Sequence, residues 1–367
     1  NKLNFYKSSV STFVNEKLYP MSNPTDLLKF SPLKFHNRVR LGLVVLYLQR
    51  VKNWQKLTEV SAIDWLNKYA GKEATKIVWE PLLKGKFDKY YKEITMCWLW
   101  GRIKQRADSR DNKMGGEVLG YIDGGFEIII NKLLEKIREG NLGSIVLNTV
   151  IKKVRRDKTS QKVEVITKDN TSNFDKVLLT VPNHIAYQIL KDYKEEYPIY
   201  FEKLLKVDYL DAAVLLFATD TPITKFYWHN INTVDSPFVV FLSLTSLIGN
   251  DRFNGKHVYY IGDYIPPEHQ YMKISEEDLI NLWFKSLKNI FPNFSFDSVI
   301  EKKLFRFKNA QHIVDIGFDK KIVSHKTPCK GVFLSNFSQI FPMDRGTNYA
   351  VRDGYKMAEK LSKRSDE

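Results

Sequence analysis

The stretch GVFLSNF at residues 331–337, followed by DRGTNYAVRDG at residues 344–354, does most to decide the fold of this chain. The first stretch has the apolar run of a buried strand and ends in small polar residues. The second is a polar loop that leads into a helix from about Tyr349 to Lys363. Because a helix amino terminus carries free N–H groups and a partial positive charge, this strand, loop and helix predict a site that stabilises negative charge.

The segments that precede this stretch alternate between helix and strand. Residues 121–126 (YIDGGF) form a glycine turn that leads into a helix with its apolar residues on one side. Residues 145–151 predict a short buried strand, residues 163–167 a half-exposed strand, and residues 177–182 (VLLTVP) a buried strand that proline ends. This part of the chain is therefore predicted to be an α/β segment.

The remaining segments predict a second structural region. Short antiparallel strands open the chain, and helices dominate the first hundred residues, including one from Thr95 to Arg106. Three apolar runs between residues 210 and 265 predict a separate sheet, and a capped helix with an apolar stripe from Leu279 to Ile290 follows. A chain of 367 residues exceeds the size at which one core keeps growing, so two lobes are expected.

The composition indicates a compact globular protein and argues against two kinds of chemistry. Hydrophobic residues make up 43% of the chain and charged residues 27%, which is enough apolar material for a sizeable core. The two cysteines, Cys97 and Cys329, lack the spacing of a metal site and fit a reducing cytoplasm. The longest apolar stretch, residues 238–248, is about half of the ~20 residues that span a bilayer. We therefore expect a soluble, cytoplasmic protein whose chemistry is neither metal- nor thiol-based.

The net charge of +15, from 57 Lys and Arg against 42 Asp and Glu, would attract a nucleic acid or an anionic membrane surface. The lysines are scattered singly, however, and the densest run, residues 152–156 (KKVRR), is short and resembles a strand end. We expect no nucleic-acid partner. Steering of an acidic substrate and peripheral attachment to an anionic membrane surface both stay open.

No single catalytic motif identifies the chemistry. The Gly-x-Gly-x-x-Gly sequence that binds a dinucleotide pyrophosphate is absent from the sequence, as are HExxH, GxSxG and Walker A sequences. The order of the weaker signals is more informative: a glycine turn and helix, strands, a separate sheet, and a final strand, polar loop and helix.

That order resembles the flavoprotein family of amine oxidases, phytoene desaturases, protoporphyrinogen oxidases and UDP-galactopyranose mutase, and the likeness covers essentially the whole chain. A bacterial protoporphyrinogen-oxidase-like branch is similar in residues 79–87 (WEPLLKGKF), residues 227–231 (YWHNI) and residues 345–348 (RGTN). The resemblance implies a mixed α/β fold with two lobes. One is a Rossmann-like FAD/NAD(P)-binding domain of the glutathione-reductase type, and the other is a substrate domain of mixed sheet and helices.

The family layout also implies domain boundaries and a missing segment. It assigns residues 1–114 and 186–300 to the substrate domain, and residues 115–185 and 301–367 to the remainder of the FAD-binding domain. The amino-terminal βαβ unit, at least ~30 residues with the glycine motif, is expected to be missing ahead of Asn1.

The same resemblance implies FAD as the cofactor. In the family, a Gly-Gly turn passes close to the flavin, a strand end pairs with the adenine, and the last loop and helix meet the isoalloxazine ring. Many relatives have an acid after the last strand that meets the ribityl chain, so here that contact falls to Asn336 or is missing. The implied cofactor-binding residues are Gly124, Gly125, Val150, Thr180, Pro182, Ser335, Asn336, Arg345, Gly346, Thr347, Asn348 and Tyr349.

The substrate-side candidates are the residues that the family layout places around the cavity over the flavin, namely Arg102, Trp228, Asn230 and Gln311. Each has a plainer interpretation, since a helical arginine often pairs at the surface, a tryptophan packs in a core, and a glutamine caps a strand. His312 is a lone histidine, for which a structural role is the commoner one. No catalytic acid or base is assigned, because a flavin takes hydride directly and the protein then orients the substrate and excludes water.

The resemblance thus implies an FAD-dependent oxidoreductase that transfers hydride from an amphipathic small molecule to flavin. Residues 242–246 (LSLTS) are less polar than in the protoporphyrinogen-oxidase-like branch, so that branch's substrate is not carried over. Two alternatives stay open: non-redox chemistry on a nucleotide sugar, as in the mutase relatives, and a basic protein that binds nucleic acid or a membrane surface without catalysis. The sequence does not indicate the oligomeric state.

Overall fold

The computed structural model of the chain describes residues 2–111, 116–140, 143–232 and 236–363. The strands are β1 (Leu3–Lys7), β2 (Val10–Val14), β3 (Lys17–Pro20), β4 (Arg110–Asp111), β5 (Gly116–Ile122), β6 (Lys153–Arg156), β7 (Val163–Ile166), β8 (Thr171–Phe174), β9 (Val177–Leu179), β10 (Tyr209–Thr219), β11 (Trp228–Ile231), β12 (Val240–Ser243), β13 (His257–Ile265), β14 (Val299–His312) and β15 (Val332–Leu334).

The α-helices are α1 (Pro24–Lys29), α2 (Phe35–Arg50), α3 (Ala62–Tyr69), α4 (Lys72–Ala74), α5 (Glu80–Phe87), α6 (Met96–Asp108), α7 (Glu127–Glu139), α8 (Asn183–Leu190), α9 (Pro198–Leu205), α10 (Thr245–Ile248), α11 (Glu276–Ile290) and α12 (Thr347–Ser362). A π-helical turn, Thr75–Trp79, joins α4 to α5. No helix in the described ranges is long and apolar enough to cross a bilayer.

The chain forms two compact units, each made from two separate parts of the sequence. The first unit contains Asn1–Asn131 and Tyr209–Ile316, and the second contains Lys132–Asp208 and Gly317–Glu367. The family layout predicts that the chain passes from one domain to the other after residues 114, 185 and 300. In the structure, the chain passes from one unit to the other somewhat later, after residues 131, 208 and 316.

The first unit is built on a seven-stranded sheet in the order β14-β10-β13-β12-β11-β2-β3. All neighbours are antiparallel except β11 and β2, which pair in parallel. The apolar stripe of α11 is buried against one face of this sheet, with Trp283 packed near Phe238 and Phe284 near Phe217. Ser275 caps α11 by accepting a hydrogen bond from the Asp278 N–H. The predicted sheet and the predicted capped helix are therefore both confirmed.

The predicted opening strands are present, but the partner of β1 was not predicted. β2 and β3 form the expected hairpin, with Asn15 and Glu16 at positive φ in the turn. β1 instead pairs with β5, and β5 also pairs with β4, so these three strands make a separate sheet. Such a pairing joins residues more than a hundred positions apart, and hydrophobic periodicity carries no information about it.

The second unit contains a parallel pair, β9 with β15, and a three-stranded antiparallel sheet, β6-β7-β8. Leu179 and Leu334 at the ends of the parallel pair belong to one buried cluster with Val154 and Val163 of the antiparallel sheet. Helices α8 and α9 pack on each other, and Ala186 and Phe201 join the same cluster. This core fixes where β9 and β15 end.

The buried strand predicted at residues 145–151 is wrong. No strand occurs between Gly143 and Lys152, and Val146, Leu147 and Val150 are 72%, 75% and 67% exposed. An extended apolar segment becomes a buried strand only when a neighbouring strand satisfies its backbone and covers its side chains. None of the described strands pairs with this segment.

Candidate functional site

A cavity of about 210 Å³ lies within the first unit. It brings together three of the four substrate-side candidates, Arg102, Trp228 and Asn230. The other described residues that line it are Trp79, Pro81, Leu82, Gly85, Lys86, Trp98, Leu99, Ile103, Arg106, Ile231, Asn232, Val239, Val240 and Tyr264. Its walls are thus mostly aromatic and aliphatic, with a few polar groups, as in sites for small organic molecules.

Helix α6 supplies one wall of the cavity, and hydrogen bonds and aromatic packing hold its first turn in place. The buried Thr95 caps the helix, and its hydroxyl lies 2.9 Å from the carbonyls of both Leu57 and Thr58. One turn later, Trp98 is fully buried against Phe87, with the ring centroids 4.7 Å apart. Arg102 is the next residue on that side of α6 and is half-buried. The anchored cap therefore sets the depth at which Arg102 reaches the cavity.

Three cations line the cavity, and no Asp or Glu is among its described lining residues. The ammonium group of Lys86 lies 5.5 Å from the Trp98 ring centroid and 5.6 Å from that of Tyr264, which is cation–π distance. Arg102 donates from Nη1 to Gln105 Oε1 at 3.1 Å, and Arg106 follows one turn later. The cavity therefore combines an aromatic wall with positive charge.

Strand β11 supplies another wall of the cavity. Successive side chains of a strand point to opposite faces, so neighbouring residues of β11 have different roles. Trp228 and Asn230 point to the cavity, where the Trp228 indole Nε1–H donates to Asn230 Oδ1 at 3.0 Å. His229, between them, is fully buried on the other face and contacts Phe241 and Phe291. Burial lowers the pKa of His229 to about 4, so the ring is neutral at pH 7. It is a core residue, not a base for chemistry in the cavity.

Helix α5 approaches the sheet closely at Gly85. A Cβ at this position would lie 2.9 Å from the Cβ of Val239, so only glycine lets α5 pack there. The π-helical turn before α5 carries Trp79 into the cavity lining. Both residues lie in the WEPLLKGKF stretch at residues 79–87. This stretch carries part of the family resemblance, but it was not predicted to line a site.

Five lining residues that add charge or aromatic surface were not predicted as site residues: Trp79, Lys86, Trp98, Arg106 and Tyr264. A signal existed for Arg106, because it lies one helical turn from Arg102. Gln311 was expected at this site but is not among its described lining residues. It is fully buried in β14, and its amide donates to the His312 carbonyl at 2.7 Å.

In the second unit, the carboxyl ends of β9 and β15 bring several cofactor candidates together. The Ser335 N–H donates to the Leu179 carbonyl at 2.9 Å, which places Ser335 and Asn336 beside Thr180 and Pro182. Open α/β sheets bind their ligands at this edge, where the strands end and helices begin. The two strand ends were far apart in sequence, and their adjacency is a product of the parallel pairing.

Asn336 is engaged in the fold at this edge. Its Nδ2 donates to the Val181 carbonyl at 2.8 Å and to Asn183 Oδ1 at 2.9 Å. Its Oδ1 accepts the Ser338 N–H at 3.0 Å and so caps the short helical turn that follows β15. A ribityl contact from Asn336 would have to compete with these bonds, and it stays a prediction.

The amino terminus of α12 fits an electron-rich ligand. Gly346 is the N-cap residue of this sixteen-residue helix and, as glycine, supplies no side-chain cap. A Cβ on Gly346 would lie 2.7 Å from Asn348 Oδ1, so a larger residue there would have to displace the Asn348 side chain. Arg345 stacks on Phe337 at 5.9 Å, and Tyr349 lies under Arg352 at 4.9 Å. Thr347 and Asn348 are exposed in the first turn.

The three remaining cofactor candidates lie elsewhere. Gly124 and Gly125 form the turn between β5 and α7, with φ of 91° and 86°, and a Cβ on Gly124 would meet the Ile128 side chain at 2.2 Å. Both glycines are therefore required by the turn itself. Val150 is exposed and outside any strand, so the strand end on which its adenine contact was predicted is absent from the described structure.

Comparison with solved structures shows that this fold is shared with oxidoreductases. A protein from Exiguobacterium sp. 255-15, assigned as a protoporphyrinogen oxidase, matches 98% of this chain and 81% of its own, with a TM-score of 0.72 and 14% identity. Cyclohexylamine oxidase from Brevibacterium oxydans IH-35A matches 98% of this chain and 82% of its own, with a TM-score of 0.66 and 10% identity. Reduced UDP-galactopyranose mutase matches 88% of this chain and 70% of its own, with a TM-score of 0.64 and 14% identity.

No protein-family model and no curated protein sequence matches the chain. The structural neighbours nevertheless show its fold: the chain shares the mixed helix and sheet fold of these oxidoreductases and of the mutase. At these identities the likeness establishes the fold, and the activity rests on the site.

Proposed function

We propose that the chain forms the larger part of an FAD-dependent oxidoreductase that oxidises an amphipathic small molecule. The observation that carries this proposal is the aromatic and cationic cavity of the first unit, found in a chain that matches oxidoreductase folds over almost its whole length. When bound, FAD would supply a hydride acceptor.

On the cofactor side, the residues that fit are Gly346, Thr347 and Asn348 at the start of α12. Their backbone N–H groups and the helix dipole stabilise negative charge, which a reduced flavin carries. Arg345, held over the Phe337 ring, adds a fixed positive charge beside them. Ser335 and Thr180 add hydroxyl groups at the carboxyl ends of the parallel strands.

On the substrate side, Trp98 and Trp228 provide flat apolar walls that exclude water and orient the substrate. Arg102 and Asn230 provide the polar contacts that fix its direction. These side chains come from a helix and a strand whose positions are set by buried packing, so the cavity is formed before a ligand binds.

A strand–helix–strand unit that binds the pyrophosphate completes the proposal, since the 367 residues contain no Gly-x-Gly-x-x-Gly sequence. The exposed apolar side chains of Val146, Leu147 and Val150 in the second unit support it, because such a unit would cover them. About a fifth of the chain of each neighbouring oxidase also lies outside the matched part.

FAD titration tests this function. The chain is produced alone and with the genomic segment that precedes residue 1 if that segment encodes the glycine motif, and quenching of flavin fluorescence gives Kd. We expect the longer protein to bind FAD and Thr347→Pro, which fits the first helical position of α12 but removes its backbone N–H group, to weaken binding at least about tenfold. Ser362→Pro at the other end of α12 is the matched control. A longer protein that folds and does not bind FAD refutes the cofactor, whatever the substrate.

A second candidate is non-redox chemistry on a nucleotide sugar. The match to UDP-galactopyranose mutase and the three cavity cations, Lys86, Arg102 and Arg106, favour it, because phosphate groups bind such cations. The two candidates differ in one measurement. Anaerobic bleaching of the flavin absorbance by substrate supports oxidation, whereas isomerisation of a nucleotide sugar by the reduced protein, without net loss of flavin electrons, supports the alternative.

A further inference from the structure

The outward face of α2 carries an uncovered apolar stripe. Residues 35, 39, 43, 46 and 47 recur at helical spacing and so lie on one side of the helix. These five side chains, between 40% and 65% exposed, form the α2 stripe: Phe35, Val39, Leu43, Leu46 and Tyr47. A stripe of this length on a water-exposed helix is unusual, because contiguous apolar surface normally marks a binding face.

The stripe is not the side by which α2 packs on its own unit. Asn37, Leu41 and Leu48 are buried on the opposite side, where α2 meets α6. The helix is therefore apolar on both faces. Its inner face is covered by the fold. Its outer face is largely exposed, although Tyr47 stacks on Trp65 with the ring centroids 6.4 Å apart. A helix that is apolar all round is expected to be buried on all sides.

The charge around the stripe has one sign. Residues 27–58 contain seven Lys and Arg and no Asp or Glu: Lys29, Lys34, Arg38, Arg40, Arg50, Lys52 and Lys56. Within the described ranges none of the seven forms an ion pair. The guanidinium groups of Arg38 and Arg40 donate instead to backbone carbonyls. By helical spacing, Arg38 and Arg40 flank the stripe on its two sides, and Arg50 lies at its carboxyl end.

We propose that the α2 stripe binds an anionic lipid surface, with α2 lying in the plane of the interface. The five apolar side chains would enter the acyl boundary, and the surrounding cations would meet lipid phosphates. The long arginine and lysine side chains reach the headgroups while their aliphatic parts cover apolar surface. This inference does not depend on the proposed redox activity.

Charge decides between a membrane and a second copy of the chain. In a symmetric dimer the same patch faces itself, so Arg38, Arg40 and Arg50 beside one stripe would lie near the same three residues beside the other. Like charges brought together at an interface oppose association. An anionic lipid surface satisfies both the apolar stripe and its cationic surroundings.

Vesicle flotation tests the proposal. The full chain is mixed with vesicles of phosphatidylcholine alone or of phosphatidylcholine with phosphatidylglycerol, at low salt and at about 1 M salt. We expect binding to the anionic vesicles that is lost at high salt. The double variant Phe35→Ser with Leu43→Ser should reduce this binding at least about tenfold. Both positions are exposed, so the variant is expected to keep its fold, which circular dichroism checks.

Two control variants make the outcome specific. Ile199→Ser with Leu205→Ser removes two exposed apolar side chains of the second unit, and Lys302→Gln with Lys303→Gln removes two exposed cations far along the chain. Both should bind anionic vesicles like the unaltered chain. The proposal is overturned if the chain does not float with anionic vesicles, or if the stripe variant floats equally well. A concentration-dependent dimer that the stripe variant abolishes, without vesicle binding, overturns it in favour of a second copy.

Discussion

Acidification should weaken the first unit through the buried histidine His229. His229 lies in the sheet between two cavity-lining residues and is fully buried. The Phe241 carbonyl, 3.2 Å from Nδ1, can only accept, so Nδ1 carries the proton and Nε2 accepts from the Thr224 hydroxyl at 2.9 Å. Burial among aromatic rings lowers the pKa of His229 from 6.5 to about 4, because the charged form loses hydration.

The size of the effect follows from linkage. The unfolded chain binds a proton at His229 below pH 6.5, whereas the folded chain does so only below about pH 4. The neutral, buried state therefore supports folding fully above pH 6.5, and this support is lost as the pH falls from 6.5 to 4. The loss is about 2 kcal/mol of unfolding free energy at pH 5 and about 3 kcal/mol below pH 4.

Tryptophan fluorescence isolates this effect, since all seven tryptophans belong to the first unit. Urea unfolding at several pH values is compared for the unaltered chain and His229→Gln, whose amide can still donate to the Phe241 carbonyl. The unaltered chain should lose about 2 kcal/mol more than the variant between pH 7 and pH 5. His184 and His269 titrate in both proteins and cancel in the difference. Equal losses in the two proteins would refute the reasoning.

Three further predictions concern packing and capping. Gly85→Ala should destabilise the first unit by about 1–3 kcal/mol in urea unfolding followed by tryptophan fluorescence, because the new Cβ meets Val239 at 2.9 Å; an unchanged midpoint would contradict this close approach. Gly354→Ala, inside α12 with open space around the new Cβ, should instead stabilise the helix by about 1 kcal/mol, measured as a higher Tm by circular dichroism. Asn336→Ala should lower the free energy of unfolding by about 1–3 kcal/mol, because the Asn336 Oδ1 accepts a hydrogen bond from the Ser338 N–H at 3.0 Å. Hydrogen exchange of the Ser338 amide should become faster, and an unchanged exchange rate would show that this cap does not protect the amide.

Helices α11 and α6 show which features a local sequence pattern can predict. Ser275 with Asp278 and the stripe from Leu279 to Ile290 predicted a capped helix with one buried side, and the structure contains it. The spacing of Arg102 and Arg106 also puts both on one side of α6, and both line the cavity, although only Arg102 was predicted there. These features depend on residues three or four positions apart, so they are readable from the order of side chains.

The segment at residues 145–151 shows what a local sequence pattern cannot predict. Its apolar run satisfied the rule for a buried strand, but a strand also needs a partner, and partners are long-range. The strand β1 was predicted and is present, but its antiparallel partner β5 lies more than a hundred positions away and could not be read from the local pattern. Gln311 and Asn336 had the right chemistry for a site, yet both side chains are engaged in hydrogen bonds of the fold.

The sequence by itself determined the helices, most of the strands, the positive charge and the aromatic content, since these follow from composition and short spacing. The tertiary structure alone decided which strand ends meet, as at Leu179 and Ser335, and which side chains enclose the cavity. It alone also showed that the α2 stripe is exposed, because a helical pattern identifies an apolar face but not what covers it.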